Sequence, residues 1–133
     1  MCDIVFYTGN VKSSITLRER NRYMDAQLKR GVLDALVLSA LSHGDSYGYQ
    51  IIKDIGVCME ISESTLYPVL KRLEAAEMLT VYSVEHSGRL RKYYHITENG
   101  MKKIGDFLSE WAEMTRIYQF ILRERTGEGV DKI

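Results

Sequence analysis

The residues best suited to chemistry in this sequence are cations set among hydroxyl groups. Lys71 and Arg72 form an adjacent basic pair, and Ser64, Thr65 and Tyr67 stand a few residues upstream. A second group follows between His86 and His95, where Arg89, Arg91 and Lys92 occur without any acid and lead into Tyr93. Ammonium and guanidinium groups beside hydroxyl donors bind phosphate oxygens and the edges of bases. Catalysis has no comparable basis. Cys58 has no partner evident in the sequence, and His43, His86 and His95 fall at turns or in the second basic stretch rather than in a catalytic pattern. Neither a glycine-rich phosphate loop nor a metal-ligand spacing is present. The expectation is a binding protein with no catalytic residue, no metal and no cofactor.

The elements that carry these groups follow from hydrophobic periodicity. Leu28 to Leu41 reads as a helix that is apolar on nearly all sides, hence one buried in a core or shared with a partner. His43-Gly44-Asp45 stops it, Asp45 or Ser46 can cap a second helix from Tyr47 to Ile55, and Gly56 ends that one. An extended piece from Cys58 to Ile61 leads to Ser62-Glu63-Ser64-Thr65, a dense capping signal, and a third helix runs to about Met78. On that helix Leu66, Leu70 and Leu73 share one arc, while Ser64, Pro68, Lys71 and Ala75 share the opposite one, flanked by Tyr67 and Arg72. Small residues between cations let a helix approach a groove floor. Pro68 fits a helix that begins near Ser64 and implies a kink in one that begins at Ser62. The period then changes to two. Leu79 to Glu85 and Leu90 to Ile96 read as strands joined across His86-Ser87-Gly88, with Tyr93 and Tyr94 facing opposite ways. Thr97 caps a last helix that runs to about Arg125, with Glu98 in its first turn. Three short helices, a hairpin and a long helix describe a mainly α fold with a small β-hairpin: a winged helix-turn-helix followed by a C-terminal helix.

Composition sets the outer bounds. The 133 residues suit one compact domain, and 45% hydrophobic with 27% charged side chains is ordinary for a globular chain. No apolar run approaches a membrane span and no signal peptide is evident, so the expected location is the cytoplasm. Cys2 and Cys58 are read as two free thiols in a reducing compartment. Eighteen basic side chains balance eighteen acidic ones, and from Glu98 onward seven acids face six bases. Positive charge is therefore local, concentrated on the third helix and the hairpin.

Residues 1–23 differ from the rest. They show no sustained period, a Thr8-Gly9-Asn10 turn signal, and the run Arg18-Glu19-Arg20-Asn21-Arg22. Two readings stay open. Arg18-Glu19-Arg20 can be encoded by a purine-rich run resembling a ribosome-binding site placed shortly before Met24, which would make the segment a translated leader; alternatively it is a basic arm that touches DNA.

The long helix carries a seam. Met101, Ile104, Leu108, Trp111, Thr115, Tyr118 and Leu122 alternate spacings of three and four, with Phe107, Met114, Ile117 and Ile121 in a stripe beside them. A helix of this length spans roughly 35 to 40 Å, more than a small winged core can cover. A second copy of the chain is expected to bury the remainder, with Met101, Ile104, Leu108, Trp111, Tyr118, Ile121 and Leu122 at the interface.

Several stretches together carry a resemblance. Thr65-Leu66-Tyr67-Pro68-Val69-Leu70-Lys71-Arg72-Leu73-Glu74 and Arg91-Lys92-Tyr93-Tyr94-His95-Ile96-Thr97 closely resemble the PadR-like regulators, as do Asp34-Ala35-Leu36-Val37-Leu38 and Ser46-Tyr47-Gly48-Tyr49-Gln50-Ile51. The resemblance covers about residues 27–122, with its four segments in order. It implies a bacterial repressor that binds double-stranded operator DNA as a homodimer through a winged N-terminal domain. The chain departs from the pattern in its 23-residue extension and in a very short link before Ser62, and its single C-terminal helix resembles the shorter subfamily. In some relatives an aromatic residue of the dimer helix lines an inter-subunit pore for flat hydrophobic ligands. By resemblance Trp111 is then the candidate for a small hydrophobic or aromatic effector, against the simpler role of an interface anchor.

The expected organisation is an extension over 1–23, a winged helix-turn-helix over 24–97, a dimerisation helix over 98–125 and a flexible tail over 126–133. The DNA-facing set is Ser64, Thr65, Tyr67, Lys71, Arg72, Arg89, Arg91, Lys92 and Tyr93. The competing function is a winged-helix module that binds protein and not DNA, for which the outer arc of the third helix should be acidic or apolar.

Overall fold

A computed structural model describes residues 25–127. The N-terminal extension, with Met24 and Cys2, and the tail from residue 128 lie outside the described residues. The element order is α1 (Ala26–Leu41), β1 (Ser46–Tyr47), α2 (Gly48–Ile55), α3 (Glu63–Ala75), β2 (Leu79–His86), β3 (Arg89–Ile96) and α4 (Glu98–Thr126). The expected helices and hairpin are all present, within a few residues of their expected bounds. The addition is β1. Its two residues pair antiparallel with β3, Ser46 opposite Tyr94 and Tyr47 opposite Tyr93, so that the wing is a three-stranded sheet in the order β1-β3-β2.

The core lies where α1, α2 and α3 meet beneath this sheet. Leu33, Val37, Leu38 and Leu41 of α1 pack with Ile51 and Ile55 of α2 and with Leu66, Val69, Leu70 and Leu73 of α3. Leu79 and Tyr94 bring the sheet into the same cluster. The leucine arc expected on α3 is thus its buried face, and Ser64, Pro68, Lys71 and Ala75 are exposed on the other side. Pro68 lies inside α3, so the carbonyl of Ser64 loses its helical partner on this exposed arc, where water can replace it.

Local chemistry sets the connections. Asp25 caps α1 by accepting the amide of Gln27 at 3.3 Å. The expected cap of α2 by Asp45 or Ser46 does not form: Tyr47 occupies the N-cap without a side-chain bond, because Ser46 and Tyr47 are committed to the sheet. Ser62 begins α3, but its hydroxyl contacts those of Ser64 (2.8 Å) and Thr65 (3.2 Å) rather than a backbone amide. Ser87 and Gly88 both adopt positive φ, 52° and 78°, which makes a two-residue hairpin turn whose twist matches the strands. Both strands extend one residue further than expected, to His86 paired with Arg89. Cys58, read from the sequence as a free thiol, is disulfide-bonded in this structure. Among the described residues, no helix is long and apolar enough to cross a membrane.

The end of α3 and the start of α4 interlock. The amide of Met78 bonds the Leu73 carbonyl and that of Glu77 bonds the Glu74 carbonyl, a C-cap in which Glu77 takes the left-handed position at φ 59°. The Met78 carbonyl then accepts the amide of Thr97 at 3.1 Å, and the Thr97 hydroxyl donates to the Glu77 carbonyl at 2.7 Å. The same hydroxyl accepts the amide of Gly100 at 3.2 Å and so caps α4 as expected. Gly100 is buried against this turn. A Cβ there would collide with the Met78 carbonyl, stand 2.6 Å from Cγ1 of Ile96 and 3.2 Å from Cδ2 of Leu38. Gly100→Ala should therefore destabilise the fold by roughly 1–3 kcal/mol, more than the ~1 kcal/mol that alanine contributes through helix propensity. Urea unfolding followed by circular dichroism checks this, and an unchanged or raised midpoint contradicts it.

Candidate nucleic-acid interface

The wing and α3 enclose an open cleft of about 770 Å³. Its walls are Glu63 and Tyr67 from α3, Tyr47, Gly48 and Tyr49 from the start of α2, and Arg89, Arg91 and Lys92 with the hairpin turn from the wing. Strand alternation explains the division of these side chains. Tyr94 points to the core and is buried, whereas Tyr93 lies on the opposite sheet face. Burial pushes the Tyr94 phenol above its ordinary pKa, aided by nearby Tyr67 and Glu74. Gly48 has no side chain where Tyr67 passes: an added Cβ would sit 3.1 Å from the Tyr67 hydroxyl.

Of the residues expected to face DNA, Arg89, Arg91, Lys92 and Tyr67 line this cleft. Ser64 and Lys71 are exposed on the adjoining arc of α3 outside the cleft lining, and Thr65 is half-buried beside them. Arg72 is engaged elsewhere. Its guanidinium forms an ion pair with Asp34 of α1, both side chains partly buried, which ties α1 to α3. That pairing occupies one of the two cations expected on this helix.

The outer face of the sheet carries contacts absent from the sequence reading. Tyr82, Tyr93 and Tyr47 occupy adjacent positions across β2, β3 and β1. Tyr82 stacks on Tyr93 with ring centroids 5.7 Å apart, and Tyr47 meets Tyr93 edge-on at 5.5 Å. The guanidinium carbon of Arg91 lies 4.1 Å above the centre of the Tyr47 ring. At the other end Asp45 accepts bonds from the Tyr82 hydroxyl and from Nδ1 of His95, both at 2.6 Å. A two-residue strand has no period to detect, so Tyr47 carried no pattern signal beyond its place in the Ser46-Tyr47-Gly48-Tyr49 run. Asp45 read as a helix cap because its partners are 37 and 50 residues away.

The seam of α4 divides into two regions. Ile104 packs against the helical core. Beyond it the apolar side chains are exposed within the single chain, Leu108 at 62%, with Trp111, Tyr118 and Ile121 also open and Leu122 half-buried; Met101, before Ile104, is exposed too. Phe107 and Trp111 stack with ring centroids 5.6 Å apart.

A three-helix core closed by a three-stranded wing, with a long helix leaving it, is a winged-helix architecture. A profile of the transcriptional regulator PadR-like family matches residues 37–106, and the chain belongs to that family. It is 37% identical over 98 residues to an uncharacterized protein of Lysinibacillus sphaericus, a match covering 70% of this chain and 90% of that one. Among solved structures it resembles a Streptococcus mutans protein at 42% identity and TM-score 0.64, covering 72% of this chain and 91% of that chain. It also resembles a PadR family transcription regulator of Clostridium difficile at 33% identity and TM-score 0.61, covering 67% and 97%. The protein is a transcriptional regulator with the winged-helix fold.

The Asp45 contacts give the wing a pH dependence of definite sign. Hydrogen bonds from Tyr82 and then His95 hold the Asp45 carboxyl below its ordinary pKa. A carboxylate depressed in the folded state contributes stability above its unfolded value, about 3.9, and loses it as pH falls through the folded value. The stability difference between the parent and Asp45→Ala should accordingly be full at neutral pH and shrink below about pH 4. Urea midpoints of the two proteins across the acid range check this, and a gap that persists or widens at low pH contradicts it.

Proposed function

We propose that the protein is a cytoplasmic repressor that binds a pseudo-palindromic operator as a homodimer, reading DNA with α3 and the wing. The observation that carries the DNA reading is the cleft between α3 and the wing, which Arg89, Arg91 and Lys92 line beside the exposed Ser64–Lys71 arc. Such a surface supports phosphate contacts from the wing and base contacts from a helix in the major groove. Lys71 is the exposed cation of that arc, whereas Arg72 is held by Asp34. The two neighbours should therefore separate on substitution. Lys71→Ala is expected to leave the unfolding midpoint unchanged, weaken DNA binding and lower the salt slope by about one unit. Arg72→Ala removes one partner of a partly buried ion pair and is expected to cost about 1–2 kcal/mol of stability. Salt-dependent binding to genomic fragments that include the upstream region of the gene, with urea unfolding alongside, checks both. Full-affinity binding by Lys71→Ala removes α3 as the reader.

The homodimer is supported by the open apolar face of α4. Soluble monomers seldom leave so continuous a patch exposed. Pairing two such helices buries Leu108, Trp111 and Tyr118 and fixes two recognition helices about a two-fold axis, which calls for half-sites roughly 10 bp apart or a multiple of that. The stacked Phe107–Trp111 pair on this face would line the space between paired helices, supporting a small hydrophobic or aromatic effector as the releasing ligand. Leu108→Glu should place an unpaired charge in the seam and convert a dimeric parent to a monomer or an unfolded chain, a change of several kcal/mol. Sedimentation of parent and variant measures this, and a parent that sediments as a folded monomer contradicts the dimer.

A further inference from the structure

We propose that Tyr47 is a positioning residue that aims the Arg91 guanidinium at the DNA backbone, an inference that rests on the DNA-binding reading above. Two groups at the cleft make the pair. Tyr47 closes β1 opposite Tyr93, and Arg91 lies two residues along β3 on the same sheet face, the diagonal relation in which long side chains meet. The guanidinium sits 4.1 Å over the ring, inside the range for cation–π attraction.

The ring itself is held firmly. Its backbone is fixed on one side by pairing to β3 and on the other by serving as the N-cap of α2. Its edge rests on Tyr93, which stacks on Tyr82, whose hydroxyl is bonded to Asp45 in the loop after α1. A continuous row of contacts thus runs across the outer face of the wing and ends at Arg91. An arginine on a free hairpin tip would lose much of its rotamer freedom on meeting a phosphate. Docked on Tyr47, it has already lost part of that freedom, while its N–H edge stays available because the attraction uses the flat face of the guanidinium. Arg89 and Lys92, the other wing cations, have no such ring contact among the described residues.

The test uses the full chain and a mixed-sequence duplex DNA fragment, titrated at several salt concentrations, with Lys71→Ala as a reference. Arg91→Ala should weaken binding roughly three- to tenfold and lower the salt slope by about one unit. Tyr47→Leu, which keeps bulk against Tyr93 but removes the aromatic face, should reproduce most of that loss and of the slope change. Tyr47→Phe should bind like the parent, and the Tyr47→Leu, Arg91→Ala double variant should bind within about twofold of Arg91→Ala. In the free parent, ring current from Tyr47 should move the Arg91 side-chain protons upfield in the NMR spectrum, a readout that requires no variant to fold. Additive losses, an unchanged slope in Tyr47→Leu, a Tyr47→Phe protein as weak as Tyr47→Leu, or unshifted Arg91 protons each overturn the proposal. Loss in Lys71→Ala without loss in Arg91→Ala overturns it while the DNA reading stands. A parent without salt-dependent DNA binding removes both.

Discussion

The pairing of Ser46 and Tyr47 with Tyr93 and Tyr94 is the constraint on which the rest of this surface depends. A two-stranded hairpin is marginal in water, and β2 with β3 alone would be held to the helices chiefly by Leu79 and Tyr94. Adding β1 makes a three-stranded sheet and joins it covalently to the start of α2. The direction of the wing relative to α3 is then set by backbone hydrogen bonds and by the core beneath Tyr94. Ser46 shows how tightly this junction is packed: its side chain is buried and its hydroxyl has no partner among the described residues. Outward, the same two residues place Tyr47 at the rim of the cleft.

A second junction governs the other half of the molecule. At Gly100 helix meets backbone without an intervening side chain, and the Thr97 hydroxyl serves both the Glu77 carbonyl and the Gly100 amide. The first turn of α4 is thereby fixed to the turn that ends α3. Past Ile104 the helix leaves the core and its apolar side chains face outward. The angle at which α4 departs is set by the winged domain, so pairing through α4 would carry that angle into the relative placement of two wings. In the proposed dimer, apolar packing on the free half and close packing at Gly100 would serve different ends: one would supply association energy, the other geometry.

The legible parts of the sequence were those governed by local period. Leu66, Leu70 and Leu73 at helical spacing marked the buried face of α3, alternation marked β2 and β3, and Thr97 marked the start of α4. The exposed α4 stripe was equally visible, except that Ile104, inside the seam pattern, belongs to the core. What stayed hidden depends on partners distant in sequence. Arg72 looked like a free cation until Asp34, 38 residues earlier, was brought beside it. Asp45 satisfied every local criterion for a helix cap, yet two strands supply stronger partners for its carboxylate. Hydrophobic pattern reports burial well because burial is a property of faces; it reports polar pairing poorly because a single contact leaves no period.

That distinction bears on how a chain of zero net charge could address a polyanion, as the proposed function requires. The acids and bases balance overall, but folding sorts them unevenly. Asp34 takes up Arg72, and Glu113 takes up Arg116 on α4, so these cations are neutralised within the chain. Lys71, Arg89, Arg91 and Lys92 remain around the cleft, with Glu63 as the acid on its wall. A surface with so few cations would attract any duplex only weakly, since sequence-independent attraction scales with the number of phosphates neutralised. Under the proposed function, discrimination would then come from geometry: how accurately a small set of side chains is held, and how many copies act together. In the proposed DNA-binding role, a fixed wing, an arginine docked on a ring and a helix suited to pairing would all serve that requirement.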